Sequence, residues 1–169
     1  DISMLMTYVS LDRYLRRGGR LGFVLTLSLF KTAAAREGFR RFLLPDGTPV
    51  SPLIVEDMSE LNPFEGAANR TATAVFSKGR KIQYPVSYML WRRRGKGRGA
   101  GIGFDTPYEE VVSEKTMTLD LNAEPVDSNN LTSAWLTADR RCLSVLRKLS
   151  GSSEYVGHKG VCCTVNGVF

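Results

Sequence analysis

The chain has 169 residues, which is enough for one compact domain or for parts of two. Its net charge of +6 favours an anionic partner such as nucleic acid, and a modestly basic protein without such a partner is an equal alternative. No run of 18 apolar residues is present, so no membrane-spanning helix is expected. Three cysteines without metal or disulfide spacing are typical of a reducing cytoplasm, where we expect this protein to reside.

The first half of the chain predicts the order helix, strand, helix, strand of an α/β protein. Residues 3–17 predict a helix with one apolar face, which ends at Gly18 and Gly19. The apolar run 21–27 predicts a strand that is covered on both faces, as in a parallel sheet. Residues 33–43 predict the second helix, with Arg40 in solvent, and residues 53–55 predict the next strand.

Further strands are predicted at 71–76 and 82–91, and the tight turn 78–80 between them favours an antiparallel pair. The character of the chain changes after Trp91, where arginines and glycines alternate. We therefore divide the chain into residues 1–91, a basic glycine-rich linker or loop at 92–106, and residues 107–169.

The last part predicts a short helix at 108–114 and a strand at 116–121. A final helix is predicted from an N-cap at Thr137 to Leu149, with Cys142 on its apolar side.

A self-contained enzyme should show a group of catalytic residues, and this sequence shows none. It has no glycine-rich nucleotide motif after a strand and no His-Glu pair at helical spacing, and its acidic residues are scattered. The sequence therefore predicts no catalytic residue, no cofactor-binding residue and no metal ligand in this stretch.

Several segments, in this order, resemble the adenine-specific (N6) DNA methyltransferases of restriction-modification systems. They are the strand that begins at Gly19, Ser28-Leu29-Phe30, the segment 38–43 and the loop and strand at 58–75. Residues 155–161 and 166–169 resemble the start of the DNA-recognition region of such proteins. The resemblance covers most of the chain.

The resemblance implies the C-terminal half of a class I methyltransferase-like sheet, with parallel strands plus an antiparallel hairpin, followed by a mixed α+β segment. The parent protein would transfer a methyl group from S-adenosylmethionine to adenine N6 in double-stranded DNA. The chain lacks the donor-binding turn and the Asn-Pro-Pro-Tyr motif of the family, since Asn62-Pro63-Phe64 has only one proline and comes too late. Both ends of the chain look cut, so we expect an inactive fragment whose partner is the missing N-terminal part of the same protein.

Within the resemblance, Phe64 matches an aromatic residue that packs against the flipped-out adenine; alternatively, it plugs the edge of the sheet. Asn69 and Arg70 are candidates for phosphate contact or for ordering their own loop. The remaining candidates for DNA binding are basic residues: Arg92, Arg93, Arg94, Lys96, Arg98 and Lys159. For the run at 92–98, the alternative is a solvated loop that does not bind DNA.

Two other functions stay open. The chain could be a non-catalytic DNA-binding or specificity module of a restriction-modification system, or a scaffold without affinity for DNA. Binding of the methyl donor discriminates the enzyme from the module, and salt-dependent DNA binding discriminates the module from the scaffold.

Overall fold

The computed structural model describes residues 2–33, 37–61, 63–64, 69–95, 102–103 and 105–149. They build a six-stranded mixed sheet with the strand order β1-β3-β2-β4-β5-β6. The strands are β1 (Arg20–Thr26), β2 (Val50–Asp57), β3 (Thr71–Lys78), β4 (Val86–Arg93), β5 (Thr116–Pro125) and β6 (Trp135–Ala138). The helices are α1 (Ile2–Val9), α2 (Ser28–Lys31), α3 (Tyr108–Glu110) and α4 (Arg140–Leu149). Two π-helical segments continue α1 and α3, at Ser10–Tyr14 and Val111–Lys115.

Four strands of the sheet, β1, β2, β4 and β6, run in the same direction, and β6 does so because β5 pairs antiparallel with both β4 and β6. The β2 and β4 strands pair in parallel, and β1 shares their direction because β3 pairs antiparallel with both β1 and β2. Thr26, Asp57 and Arg93, the last residues of β1, β2 and β4, therefore lie at one edge of the sheet, which we call the carboxyl edge. The β3 and β5 strands run the other way, so both begin at the carboxyl edge.

The core lies where α1, α2 and the turn Phe39–Arg41 cover one face of the sheet. The predicted apolar face of the first helix is confirmed, because Leu11 is buried and Met4, Tyr8 and Leu15 pack against the core. Phe39 is at the centre of an aromatic cluster, since its ring lies within 6.2 Å of four other rings, measured between centroids. Those four rings belong to Tyr8, Phe30, Phe42 and Phe76.

The prediction that the strands at 71–76 and 82–91 form a hairpin is wrong. They do run in opposite directions, but β2 lies between them and pairs with both.

The β1 strand also differs from the prediction. It pairs only with β3 among the described strands, and its burial alternates, with Val24 52% exposed and Leu25 buried. The α/β class is confirmed, as a mixed sheet rather than a parallel sheet that ends in a hairpin.

The predicted helix at 33–43 is wrong for the part that the structure describes, which has only the single 3-10 turn Phe39–Arg41. A helix cannot continue past this turn because Phe42 adopts a left-handed conformation, with φ of 49°.

Arg40 is buried rather than solvated, contrary to the prediction. Its Nη1 donates to the Leu29 carbonyl oxygen at 2.6 Å and its Nε to that of Thr132 at 2.7 Å. The guanidinium therefore ties α2 to the loop before β6.

The final helix begins later than predicted. Asp139 is its N-cap, since its carboxylate accepts a 2.8 Å hydrogen bond from the backbone N–H of Arg141. Thr137 lies instead in β6, a strand that the sequence did not predict. Leu143 of α4 is buried, whereas Cys142 is exposed, contrary to the prediction.

The same sheet continues on both sides of residues 92–106, because β4 pairs with β5 over eight residue pairs from Val86↔Ala123 to Arg93↔Thr116. The division of the chain at this segment stays a prediction. None of the helices in the described part of the chain is long and apolar enough to cross a lipid bilayer.

Candidate nucleic-acid interface

The carboxyl edge carries an open cleft of about 580 Å³. Ligands of open α/β sheets commonly bind beyond the carboxyl ends of their strands, which is where this cleft lies. Its lining comes from the end of β1, from α2, from the end of β2 and from the residues before β3. The lining residues are Thr26, Leu27, Ser28, Lys31, Thr32, Asp57, Ser59, Asn69 and Arg70.

Asp57 is the acidic residue of the cleft, and both of its carboxylate oxygens accept hydrogen bonds. The backbone N–H of Ser59 donates to Oδ1 at 2.9 Å, and the hydroxyl of Tyr88 donates to Oδ2 at 2.5 Å. Asp57 and Tyr88 are both buried. Burial, and then the neighbouring carboxylate of Asp57, raise the pKa of Tyr88, so this hydroxyl keeps its proton and acts as a donor.

Lys31 brings a positive charge to the same cleft from α2. Its Nζ donates to the hydroxyl of Thr137 on β6 and lies 4.9 Å from the centroid of the Tyr88 ring. Burial lowers the pKa of Lys31 to about 8, an effect that the negative charge of Asp57 partly offsets. The ammonium is therefore mostly protonated at neutral pH, and it is held in place by contacts with two strands.

Asn69 and Arg70, two of the predicted DNA-binding residues, line the cleft and are exposed. Their position is set by the backbone, because the N–H of Leu27 donates to the Arg70 carbonyl oxygen at 2.9 Å. Neither side chain makes a hydrogen bond or ion pair with the part of the chain that the structure describes. Their role in binding stays a prediction.

Phe64 belongs to the loop that joins β2 to β3 at the carboxyl edge. The two ends of this loop are adjacent, because the backbone N–H of Met58 donates a hydrogen bond to the Thr71 carbonyl oxygen at 3.0 Å. The Phe64 side chain is 48% exposed, so a large aromatic surface is open to solvent there. The contact with a target base that we predict for Phe64 remains a prediction.

The described part of the basic run packs against the start of the same loop. Arg92 makes an ion pair with Glu60 at 3.2 Å, and Arg93 donates to the carbonyl oxygen of Leu61. Arg94 is anchored elsewhere, since its Nε donates to the Thr116 carbonyl oxygen at 2.7 Å. The fold thus brings residues 92–94 and the Phe64 loop together, although about 30 residues separate them along the chain.

The three arginines differ in their freedom to bind phosphate. Both side chains of the Arg92–Glu60 pair are nearly half exposed, and such a surface pair contributes little to stability. Arg92 can therefore exchange its partner for a phosphate at small cost. Arg93 and Arg94 are bound to backbone carbonyls of neighbouring segments, so part of their donor capacity is already used. Lys96, Arg98 and Lys159, the other predicted DNA contacts, lie outside the described residues.

Sequence reasoning did not find Lys31, Asp57 and Tyr88. Lys31 directly follows the Ser28-Leu29-Phe30 segment of the resemblance, and Asp57 ends an apolar strand, but no spacing in the sequence connects the two. Tyr88 lies in the hydrophobic core. Its contact with Asp57 depends on the parallel pairing of β2 with β4, in which Val55 is the partner of Tyr88. No group of three or more His, Cys, Asp or Glu side chains with the arrangement of a metal site occurs among the described residues.

Comparison with solved structures finds similarity to a chain of a type I R-M system, from a structure that addresses its complex assembly and conformational transition. The two chains are 14% identical and superpose with a TM-score of 0.39. The match covers 68% of the present chain and 28% of the other chain, so the present chain spans less than a third of that length. Similarity at this level supports no functional assignment. No protein-family model matches the chain, and no curated protein matches it.

Proposed function

We propose that this chain is part of an adenine-specific (N6) DNA methyltransferase and supplies part of its DNA-contact surface at the carboxyl edge. One observation carries the proposal. The loop with Phe64, Asn69 and Arg70 lies at the same edge of the sheet as Arg92, where the co-directional strands β1, β2 and β4 end. The resemblance of the sequence to such enzymes concerns the same loop and the strands on both sides of it. The segments that carry the resemblance and the candidate DNA contacts therefore lie together at the carboxyl edge.

The chemistry of the edge suits a nucleotide that has been turned out of a duplex. Enzymes that modify a base extrude it from the stack, which costs a few kcal/mol. An exposed aromatic ring offsets part of this cost by stacking, which contributes about 1–3 kcal/mol per base. Phe64 offers such a ring, and the cations Arg70 and Arg92 offer contacts to the phosphates on either side.

The described residues do not fit the methyl donor, S-adenosylmethionine. The family holds it on a glycine-bearing turn and an acidic residue. The one carboxylate that lines the cleft, Asp57, already accepts hydrogen bonds on both oxygens, from Ser59 and Tyr88. We therefore assign the donor site and the catalytic Asn-Pro-Pro-Tyr motif to the remainder of the protein, and the chain alone should not transfer a methyl group.

The first experiment measures binding of the chain to a mixed-sequence DNA duplex across a salt series. The variants Arg70→Gln and Arg92→Gln remove one candidate phosphate contact each, and neither residue has an anchoring role like that of Arg93 or Arg94. Each variant should bind more weakly and should lower the slope of log K against log salt by about 1. The matched control is Arg80→Gln, an exposed arginine after β3 at the opposite edge of the sheet, which should leave both quantities unchanged.

The second experiment tests the role of Phe64 in holding a base. A duplex with one adenine opposite an abasic site lowers the cost of extruding that adenine. The chain should bind this duplex more tightly than the matched one, and Phe64→Ala should remove the preference. Salt-dependent binding without any preference for the unpaired adenine would favour the non-catalytic DNA-binding module. If the chain binds no duplex even at low salt, the proposal is wrong.

A further inference from the structure

We infer that the cleft between α2 and the ends of β1 and β2 is a binding site for a phosphodiester group, held by Lys31 and Arg70. The inference rests on the proposed function for the source of this group, which would be the backbone of DNA next to the Phe64 loop. It adds a residue, Lys31, and a second place of contact that is separate from the basic run at 92–94.

The charges that line the cleft favour an anion. Lys31 and Arg70 are its two cations, and Asp57 is its one carboxylate. With two cations and one carboxylate the lining has a net positive charge, and the Asp57 carboxylate acts on the Lys31 ammonium and accepts hydrogen bonds from Tyr88 and Ser59. The guanidinium of Arg70, by contrast, is exposed and makes no hydrogen bond or ion pair to the described ranges. Arginine is well suited to such a role because its planar fork matches two phosphate oxygens.

Lys31 is held in position for the same ligand. Its ammonium has three donors, of which one is directed to Thr137, and the Tyr88 ring lies on another side. The remaining donor capacity is available to the cleft that this residue lines. Because the ammonium is already ordered and partly desolvated, a phosphate oxygen would gain a strong contact at a small entropic cost.

Uncharged donors complete the lining of the cleft. Thr32, Ser59 and Asn69 line it, and their hydroxyl and amide groups make no hydrogen bond to described residues. A phosphodiester offers several acceptor oxygens, so a lining of unused donors matches it better than it matches an apolar ligand. The alternative is that Lys31 only stabilises the fold, as a cation between Asp57, Tyr88 and Thr137.

The test uses a dinucleoside monophosphate, which carries one phosphodiester, and its methylphosphonate analogue, in which the charge is absent. Binding to the ¹⁵N-labelled chain is followed by NMR titration. The charged ligand should bind, and the neutral one should bind at least about tenfold more weakly, since a charge-assisted hydrogen bond contributes enough for that factor. Lys31→Gln and Arg70→Gln should each reduce the affinity for the charged ligand by about tenfold. Lys31→Arg should retain it, and the control Arg80→Gln should bind like the unchanged chain.

Raising the pH gives a second readout that a purely structural lysine would not show. The groups that face Lys31 are the carboxylate of Asp57 on β2, the Tyr88 ring on β4 and the neutral Thr137 on β6, and Arg70 shares the cleft. Affinity for the charged ligand should fall between pH 7 and 9, as the ammonium loses its proton. In Lys31→Arg this fall should be absent, because a guanidinium keeps its charge.

The outcomes separate this inference from the proposed function. Equal binding of the charged and neutral ligands, or unchanged binding in folded Lys31→Gln and Arg70→Gln, would overturn the phosphodiester site. If the duplex still binds through Arg92 in that case, the proposed function stands without this site. If the dinucleotide binds as expected but no duplex binds, the site stands and the proposed function fails.

Discussion

The hydroxyl of Tyr88 on β4 donates a 2.5 Å hydrogen bond to Oδ2 of Asp57, the last residue of the neighbouring parallel strand β2. Both side chains are buried, and Lys31 lies over the Tyr88 ring. This contact orients the Asp57 carboxylate that lines the cleft at the carboxyl edge, and the same tyrosine presents its ring to the Lys31 ammonium. The stability of the fold and the geometry of the proposed site therefore depend on the same pair of residues.

Replacing Tyr88 with phenylalanine should destabilise the protein. The change keeps the buried ring but leaves an oxygen of the buried Asp57 carboxylate without this donor, which costs about 1–3 kcal/mol. Urea denaturation measures the free energy of unfolding. The matched control is Tyr108→Phe, since Tyr108 is 72% exposed and the change should have almost no effect. Equal stability of the two variants would contradict the importance of the contact.

The lowered pKa of Lys31 predicts a dependence of stability on pH. In the folded chain this pKa is about 8, against an ordinary value of 10.5, so the unfolded chain binds more protons between these values. The contribution of Lys31 to the free energy of unfolding should therefore rise with pH from about 8 towards 10. Denaturation of the unchanged chain and of Lys31→Met at each pH isolates this contribution. A difference that stays constant or falls over the interval would show that the amine is not desolvated.

Phe39 and Phe64 should respond in opposite ways to truncation. Phe39 is 1% exposed in the aromatic cluster, so Phe39→Ala should lower the free energy of unfolding by about 3–5 kcal/mol. Phe64 is 48% exposed, so Phe64→Ala should leave stability nearly unchanged while it removes the preference for an unpaired adenine. Thermal unfolding and DNA binding of both variants provide the comparison. A large loss of stability in Phe64→Ala would favour the alternative role of Phe64, in which its ring packs against the edge of the sheet.

The helix α4 should depend in part on its ion pair with the sheet. The Nε of Arg147 donates to Glu124 Oε1 at 2.6 Å, and its Nη2 contacts Oε2, while the Glu124 side chain is only 4% exposed. In Arg147→Gln the buried carboxylate loses its partner, so the melting temperature should fall and the amides of α4 should exchange faster with deuterium. Arg140→Gln removes another arginine of the same helix and serves as the control. If both variants exchange alike, the pair does not anchor α4.

The sequence by itself determined the elements whose pattern is local. A repeat of apolar residues every three or four positions placed the first helix, and Leu11 is buried as that pattern requires. Period-two and apolar runs placed β1, β2, β3 and β5, although their ends differ by a few residues. The same periodicity misplaced a helix at 33–43, because the left-handed Phe42 and the buried Arg40 reflect packing against distant segments.

Only the tertiary structure decided which strands are neighbours and which side chains meet in the cleft. The pattern of a strand reports which of its faces is buried but not which strand lies beside it, so the insertion of β2 between β3 and β4 could not be predicted. Lys31, Asp57 and Tyr88 are 57 residues apart from first to last, and they meet because the parallel pairing of β2 and β4 brings their ends under α2. Such contacts depend on closing long loops, a step that local patterns in a sequence do not encode.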